Sequence, residues 1–297
     1  MQRTGSSKII TPVEPGVVAF RFTDRWSAFD RGSSPQTIPG IGAARCICAV
    51  RSFTLAHAVN APTHFLEQVD DVTIHVQEFG VPGQEPLSGM SHGRVLPLEW
   101  IERTLAAGSL LERLKEGTDP STFGFPKDAV VTLGTPLPRP VHECTTKFEK
   151  SDRHLTDADA KALADLNDEQ WQEAWNLVIA AANITSAAYG LAGFVRPDGK
   201  KELGITKRGR LVLVDVFGTQ DEDRIVEGRT GKSYCKDLIR DYLKGLLWYQ
   251  ELRAAKKEHP GDKSKWPPYP ELPAELVDTV STRYAEAGRR YDNIHTF

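Results

Sequence analysis

The chain has 297 residues, 40% of them hydrophobic and 26% charged, and a formal net charge of −3. That length and balance suit a globular enzyme with a large core, while the slightly acidic charge argues against general nucleic-acid binding, although local basic clusters can still hold a phosphate. No apolar run approaches the roughly 18 residues needed to span a bilayer, and the N-terminus lacks the apolar stretch of a secretory signal, so a cytoplasmic protein without membrane contact is expected.

In chain order, the first hundred residues read as mainly β. Gly5-Ser6-Ser7-Lys8 at the start of the first strand forms a candidate phosphate-facing loop with Lys8 as its point charge, against the alternative of a disordered tail. Val17 to Phe22 and Val72 to Phe79 alternate or run apolar between Gly, Pro and Asp-rich turns, as antiparallel strands do. Helical signals dominate later. Thr156, with Asp159 three residues on, resembles a capping box, and Trp171, Trp175, Val178, Ile179 and Ala182 then recur at 3.6 spacing as a core stripe. A helix from about Ser233 to Lys257 buries Leu238, Ile239, Tyr242, Leu243, Leu246 and Leu247, with Lys236 and Arg240 one turn apart on its other side. The Lys, Pro and Gly-rich stretch from Glu258 to Leu272 is expected to be an exposed loop, followed by a final helix near Ala274 to Arg290. Cys46, Cys48, Cys144 and Cys235 show no metal-binding spacing and read as reduced, partly buried thiols.

The most informative stretch is the hairpin over residues 198 to 224. A turn centred on Arg208-Gly209 places Glu202 opposite Asp215, and like charges opposed on one face of a strand pair repel unless a cation joins them. A Mg²⁺ ion shared with phosphate oxygens turns that repulsion into a site. Period-2 alternation adds Asp198 and Lys200 to the face of Glu202. The competing reading is a solvated hairpin whose charges have no function.

Asp198-Gly-Lys200-Lys-Glu202-Leu-Gly204 and Asp215-Val-Phe-Gly-Thr219-Gln-Asp221-Glu-Asp-Arg224 resemble the metal and nucleotide segment of SAICAR synthetases. Further stretches are similar to that family's in the same order. They are Asp24-Arg25-Trp26-Ser27-Ala28-Phe29-Asp30, Ile38-Pro39-Gly40-Ile41-Gly42, Leu98 to Arg103 leading to Gly108-Ser109, Glu143 to Arg153, and Lys236 with Arg240. The resemblance implies an α+β fold of two lobes. The N-terminal lobe, residues 1–98, is mostly antiparallel β; the larger lobe, residues 99–297, ends in helices; ATP lies in the cleft between them. It implies an ATP-dependent carboxylate–amine ligase that joins a heteroaromatic ribotide carboxylate, CAIR, to L-aspartate through an acyl phosphate, with ATP and Mg²⁺ as cofactors and small molecules as its partners; homo-oligomerisation stays open. By the same resemblance Lys8 and Lys147 contact ATP phosphates, and Glu99 lies in the hinge near the adenine. Glu202 and Asp215 hold Mg²⁺. Arg103, Ser109, Arg224, Lys236 and Arg240 form the pocket for the ribotide phosphate and carboxylate, for which forked guanidinium groups are suited. Asp198 accepts from the heterocycle's exocyclic amine, and Asp30, Asp198 and Lys200 make up the catalytic set.

The chain also departs from the family. Ile41 stands where the family usually has Lys, and Arg31 and Gln36 replace residues common in relatives. Clustered in one loop, these changes suggest altered recognition of one substrate, with Arg31 or Arg45 as candidate replacements for the lost cation. A paralogue acting on a pyrazole or related ribotide in C-nucleoside biosynthesis is therefore an alternative to drift in a purine enzyme. A small-molecule kinase and a non-catalytic nucleotide-binding protein complete the alternatives.

Overall fold

Short β-favouring runs separated by Gly-containing turns build the first part of the chain, as a computed structural model describing residues 2–149 and 152–294 shows. Lys150 and Ser151, within one of the quoted family segments, lie outside the described residues, as do Met1 and residues 295–297. Strands β1 (Arg3–Thr4), β2 (Lys8–Glu14) and β3 (Val17–Phe22) lead into a small ribbon of β4 (Arg25–Ser27) and β5 (Ser33–Thr37). Helix α1 (Ile41–Ala58) follows, then β6 (Phe65–Asp70) and β7 (Thr73–Gln77), which complete an antiparallel sheet of order β1-β2-β3-β7-β6.

The second sheet comes from β8 (Gly93–Val95), β9 (Leu98–Leu105), β10 (Pro136–Thr146) and β11 (His154–Leu155), with α2 (Ser109–Lys115) between β9 and β10. After α3 (Asp157–Ala164), α4 (Asp168–Leu191) and β12 (Phe194–Val195) come β13 (Asp198–Thr206) and β14 (Leu211–Val214). The order is β11-β10-β9-β13-β14, with β8 also on β13, and every ladder is antiparallel. Short β15 (Val226–Glu227) pairs with β12, and α5 (Asp237–Lys244), α6 (Leu247–Glu258) and α7 (Ala274–Asp292) close the chain. The sheets touch where Thr63 bridges Leu213 in parallel and His64 N–H donates to Leu213 O at 3.0 Å. A core of Val18, Phe20, Ile74 and Val76 from the first sheet and Trp100, Leu203 and Leu213 from the second runs through that junction.

Helix α1 interrupts the mainly β reading of the first hundred residues. Of its 18 residues, 11 are buried, on one broad face that includes Gly42, Arg45 and Ser52 beside the apolar residues, so small and polar side chains blur the apolar stripe. It packs against α4 and α7. Thr156 does cap α3, accepting from Asp159 N–H, but Asp165 (φ 55°) ends that helix and an Asn167–Gln170 capping box starts α4 anew. The expected helix over 233 to 257 is likewise two. Leu246 is extended (ψ 152°) after Gly245, which leaves Ile239 and Leu243 buried and Leu247 exposed, contrary to the expectation for Leu247. The four cysteines are free and buried. No helix among the described residues is long and apolar enough to cross a membrane.

Candidate active site

Two hollows meet at Lys147, which lines both. One is a polar basin of about 490 Å³; the other is a narrower, mainly apolar slot of about 190 Å³. Strand β13 supplies the wall common to them. Its alternation sends Asp198 and Lys200 into the basin and Glu202 into the slot, while Lys201 points the other way and is completely buried.

The reverse face of β13 explains Gly199. Buried Arg196 bonds Glu102 and Asp223, and Lys201 bonds Glu102 at 2.9 Å, so four charged groups are packed directly beneath the strand. A Cβ at position 199 would collide with both Arg196 and Asp223. Only glycine lets the strand lie on that network while its neighbours face the basin.

Register decides the partners in front. Arg103 of β9 is opposite Asp198, and the two form a buried ion pair. Arg224 donates to the same Asp198 oxygen at 2.7 Å and to Asp237 at 2.7 Å, which Arg240 joins at 3.0 Å. These carboxylates hold the Arg224 guanidinium far above its ordinary range despite burial. Of the predicted ribotide set, Arg103, Asp198, Arg224, Lys236 and Arg240 line the basin, and Ser109 joins them through Arg103, which reaches its Oγ at 2.9 Å. The second Asp198 oxygen, Oδ1, is buried with no hydrogen-bond partner among the described residues.

Lys200 occupies the middle of the basin. Its Nζ lies 2.8 Å from Glu99, 3.1 Å from Glu202 and 3.0 Å from Glu222, which together outweigh burial and hold the ammonium well above its usual range. Glu99 therefore sits beside Lys200 and not among the residues lining the apolar slot. Burial penalises the Glu202 carboxylate, yet Lys147 and Lys200 overcome this and hold it at about 2. Asp152, across the basin, is pushed up to about 6 by burial and by the charges of Glu99 and Asp30. Asp30 itself is at the exposed rim, 3.2 Å from Lys256.

The hairpin differs from expectation by one residue. Thr206 and Arg210 close a loop of Lys207, Arg208 and Gly209, with Gly209 at φ 80°, so Glu202 is opposite Val214 and not Asp215. Asp215 lies just past the end of β14 at φ 57°, and Lys8 ion-pairs with it. Glu202 and Asp215 still line the same end of the slot, together with Lys8 and Lys147. The rest of the slot is lined by Ile10, Val18, Phe20, Phe79, Val81, Val95 and Val214, with Arg3, His64, Gln77 and Glu78 as its polar members. Among the described residues no three or more His, Cys, Asp or Glu side chains are grouped to hold a metal alone. Two carboxylates beside two lysines have the chemistry to hold Mg²⁺ when phosphate oxygens and water complete its shell.

The departures from the family pattern have structural explanations. Ile41 is fully buried at the start of α1 among Trp26, Ile38 and Tyr284. Arg31 donates to Pro267 O and Trp266 O, and Gln36 exchanges two bonds with Leu272, so both fasten the segment before α7. Arg45, 2% exposed, bonds Thr23 O, Arg25 O and Asp221. None of the four lines the basin, and neither Arg31 nor Arg45 replaces a substrate-facing cation there. Within the Asp24 to Asp30 signature, Asp24 accepts from Gly42 N–H at 2.9 Å and so fixes the start of α1, while Ser27 faces the basin and contacts Lys236. Sequence reasoning passed over Glu222 and Asp152, both inside quoted motifs, and Lys263, which stands in no motif.

The chain matches the SAICAR synthetase family over residues 2–255. It is 33% identical over 273 residues to the phosphoribosylaminoimidazole-succinocarboxamide synthase of Thermoplasma acidophilum, covering 90% of each chain. Its counterpart in Thermoplasma volcanium is 32% identical over 273 residues, again covering 90% of each. The fold is similar to that of a SAICAR synthase from Saccharomyces cerevisiae complexed with SAICAR, with a TM-score of 0.73 at 20% identity over 98% of this chain and 94% of that one. A type-2 SAICAR synthetase in complex with ADP aligns with a TM-score of 0.67 at 23% identity over 92% of this chain and all of the other.

Proposed function

This chain belongs to the SAICAR synthetase family, and on that premise we propose how its cleft divides the family's reaction among its residues. The enzyme is an ATP-dependent ligase of purine biosynthesis that joins the carboxylate of CAIR to the amine of L-aspartate. Neither the paralogue nor the kinase alternative is favoured, since the residues that prompted the paralogue reading serve packing. We place the boundary between lobes near residue 98, because the first sheet draws only on residues 3–77 and the second on residues 93–214.

A carboxylate oxygen is a poor leaving group, so it must first attack the γ-phosphorus of ATP, forming an acyl phosphate and releasing ADP. The aspartate amine then attacks the acyl carbon, loses a proton and expels inorganic phosphate. In this reading the adenine lies in the slot between Ile10, Val18, Phe79 and Val214, and the triphosphate runs past Lys8 and Lys147 towards the basin. Glu202 and Asp215 would hold Mg²⁺, which supplies charge neutralisation of the phosphates when bound. Lys8 and Lys147 exchange their carboxylate partners for phosphate oxygens. Lys200, fixed by Glu99, Glu202 and Glu222, faces the transferring phosphoryl group and stabilises its charge without reorganising. Arg103, Ser109, Arg224 and Arg240 bind the ribotide phosphate, and Asp152, poised near neutrality, is the candidate to accept the proton from the amine.

The single observation that carries this reading is the buried, unpartnered Oδ1 of Asp198 beside two arginines. The two guanidinium groups fix the orientation of Asp198, so its free oxygen accepts from the exocyclic amine of the heterocycle and sets the ribotide carboxylate in line with ATP. Incubating the purified protein with ATP, CAIR and L-aspartate tests the reaction by mass spectrometry. The expected products are the succinyl carboxamide and ADP in equal amounts. ADP release that proceeds unchanged without aspartate would instead indicate a kinase or an idle ATPase.

A further inference from the structure

The amine donor of this reaction is a dicarboxylate, so the basin must meet two further negative charges, and cations without a protein carboxylate meet them without breaking an ion pair. Most of its cations are committed. Arg103 and Arg224 hold Asp198, Arg240 holds Asp237, Lys147 holds Glu202, and Lys200 lies among three glutamates. Two basin lysines have no carboxylate within salt-bridge distance among the described residues: Lys236, which contacts Ser27 Oγ at 3.4 Å, and Lys263.

Lys263 comes from outside the stretch that matches the family, which ends at residue 255. It opens a short 3₁₀ turn, Lys263–Lys265, within the segment joining α6 to α7. The neighbouring Asp262 is occupied in capping that turn, accepting from Ser264 N–H at 3.2 Å and its Oγ at 2.6 Å. The segment is not the wholly exposed loop its composition suggests. Trp266 and Leu272 are buried, and Tyr269 Oη bonds Ala28 O at 2.6 Å and Gly32 O at 3.0 Å. Arg31 and Gln36 hold it from the other side. It is thus a strap fastened to the same 27–33 loop that lines the basin, where Phe29 and Asp30 both have φ of 53°. Asp30, the nearest acidic residue of that loop, is paired with Lys256.

We infer that Lys263 is a specificity-determining contact, binding one carboxylate of the amino-acid substrate from the strap while Lys236 faces the other. This rests on the ligase reading above. It also accounts for a buried Ile41 in place of a lysine, since the cation is delivered from a different segment.

The test is steady-state kinetics of Lys263→Gln, an exposed substitution that leaves the strap's anchors untouched. The KM for L-aspartate should rise about tenfold, as expected for loss of one charge-assisted contact, while the KM values for ATP and CAIR stay within about twofold. The preference for L-aspartate over L-alanine should shrink by a similar factor, and Lys263→Arg should restore both. Calorimetric titration of L-aspartate into enzyme loaded with CAIR and a non-hydrolysable ATP analogue makes the same comparison without turnover. Equal aspartate affinity in wild type and Lys263→Gln overturns the inference, as does a change confined to the ribotide. A wild type that binds aspartate through Lys263 but forms no succinyl carboxamide would instead contradict the ligase reading alone.

Discussion

Basin and slot share one wall yet are built on opposite principles. In the basin nearly every charge is answered by another: Asp198 is held by two arginines, Lys200 by three glutamates, and Asp237 by Arg224 and Arg240. In the slot, apolar side chains from both sheets form most of the wall, and charge is limited to Lys8, Lys147, Glu202 and Asp215 together with the Arg3–Glu78 pair. The difference teaches how each hollow binds. A slot of this kind holds its ligand by burying apolar surface. A basin of preformed ion pairs holds an anionic substrate by exchanging partners, so its selectivity depends on which cations remain to be exchanged.

Breaking the junction of the two should have the largest effect. Glu202→Ala is expected to lower kcat by about a thousandfold, in line with loss of a principal electrostatic group. The hairpin register changes the expected effect on stability. With Glu202 opposite Val214 there is no like-charge repulsion to relieve; instead Lys147 and Lys200 each lose a buried partner, so the variant should also melt at a lower temperature. A thermal melt no lower than wild type would show that these pairs contribute nothing.

Within the basin alone, Arg224→Ala removes one of the two guanidinium groups on Asp198 and leaves Asp237 to Arg240. The KM for the ribotide should increase about a hundredfold with the KM for ATP nearly unchanged, as measured by varying each substrate in turn. In the slot alone, Ile10→Ala trims one partly buried wall residue. It should raise the KM for ATP only severalfold, reflecting about 1 kcal/mol of lost apolar contact, and leave the ribotide KM unaltered. If the two substitutions changed the same KM, the assignment of one substrate to each hollow would fail.

The smallest effect is on pH. His64, between Phe20 and Phe53, contacts Asp215 O at 2.9 Å and is kept neutral by burial, which depresses its folded value to about 3. The unfolded chain binds the proton more readily, near 6.5, so stability should rise with pH between those limits and be lost as acid is added. Chemical denaturation of wild type and His64→Gln across pH 4 to 7 should show a shallower slope in the variant.

How much was legible in the sequence follows the same division. The face shared by Asp198, Lys200 and Glu202 could be read directly, because strand alternation is fixed by backbone geometry. The register could not, because a three-residue loop ending in Gly209 and a two-residue turn at Arg208-Gly209 have nearly the same composition, and they differ by one position across the ladder. Helix α1 escaped because its buried face carries Gly42, Arg45 and Ser52 among its apolar residues, which weakens the periodicity that marks an amphipathic helix. Lys263 was invisible for a different reason: a lysine in a polar segment carries no signal until Tyr269, Arg31 and Gln36 are seen to fasten that segment to the basin.

The central claim is that the cleft sets the ribotide carboxylate in line with ATP so that its oxygen takes the γ-phosphoryl group. Turnover of CAIR labelled with heavy oxygen at both carboxylate positions, with ATP and L-aspartate, measures this directly through the mass of the released phosphate. One labelled oxygen is expected in each phosphate, with the other retained in the amide. Unlabelled phosphate accompanying amide formation would contradict it, because the carboxylate oxygen would then never have been phosphorylated.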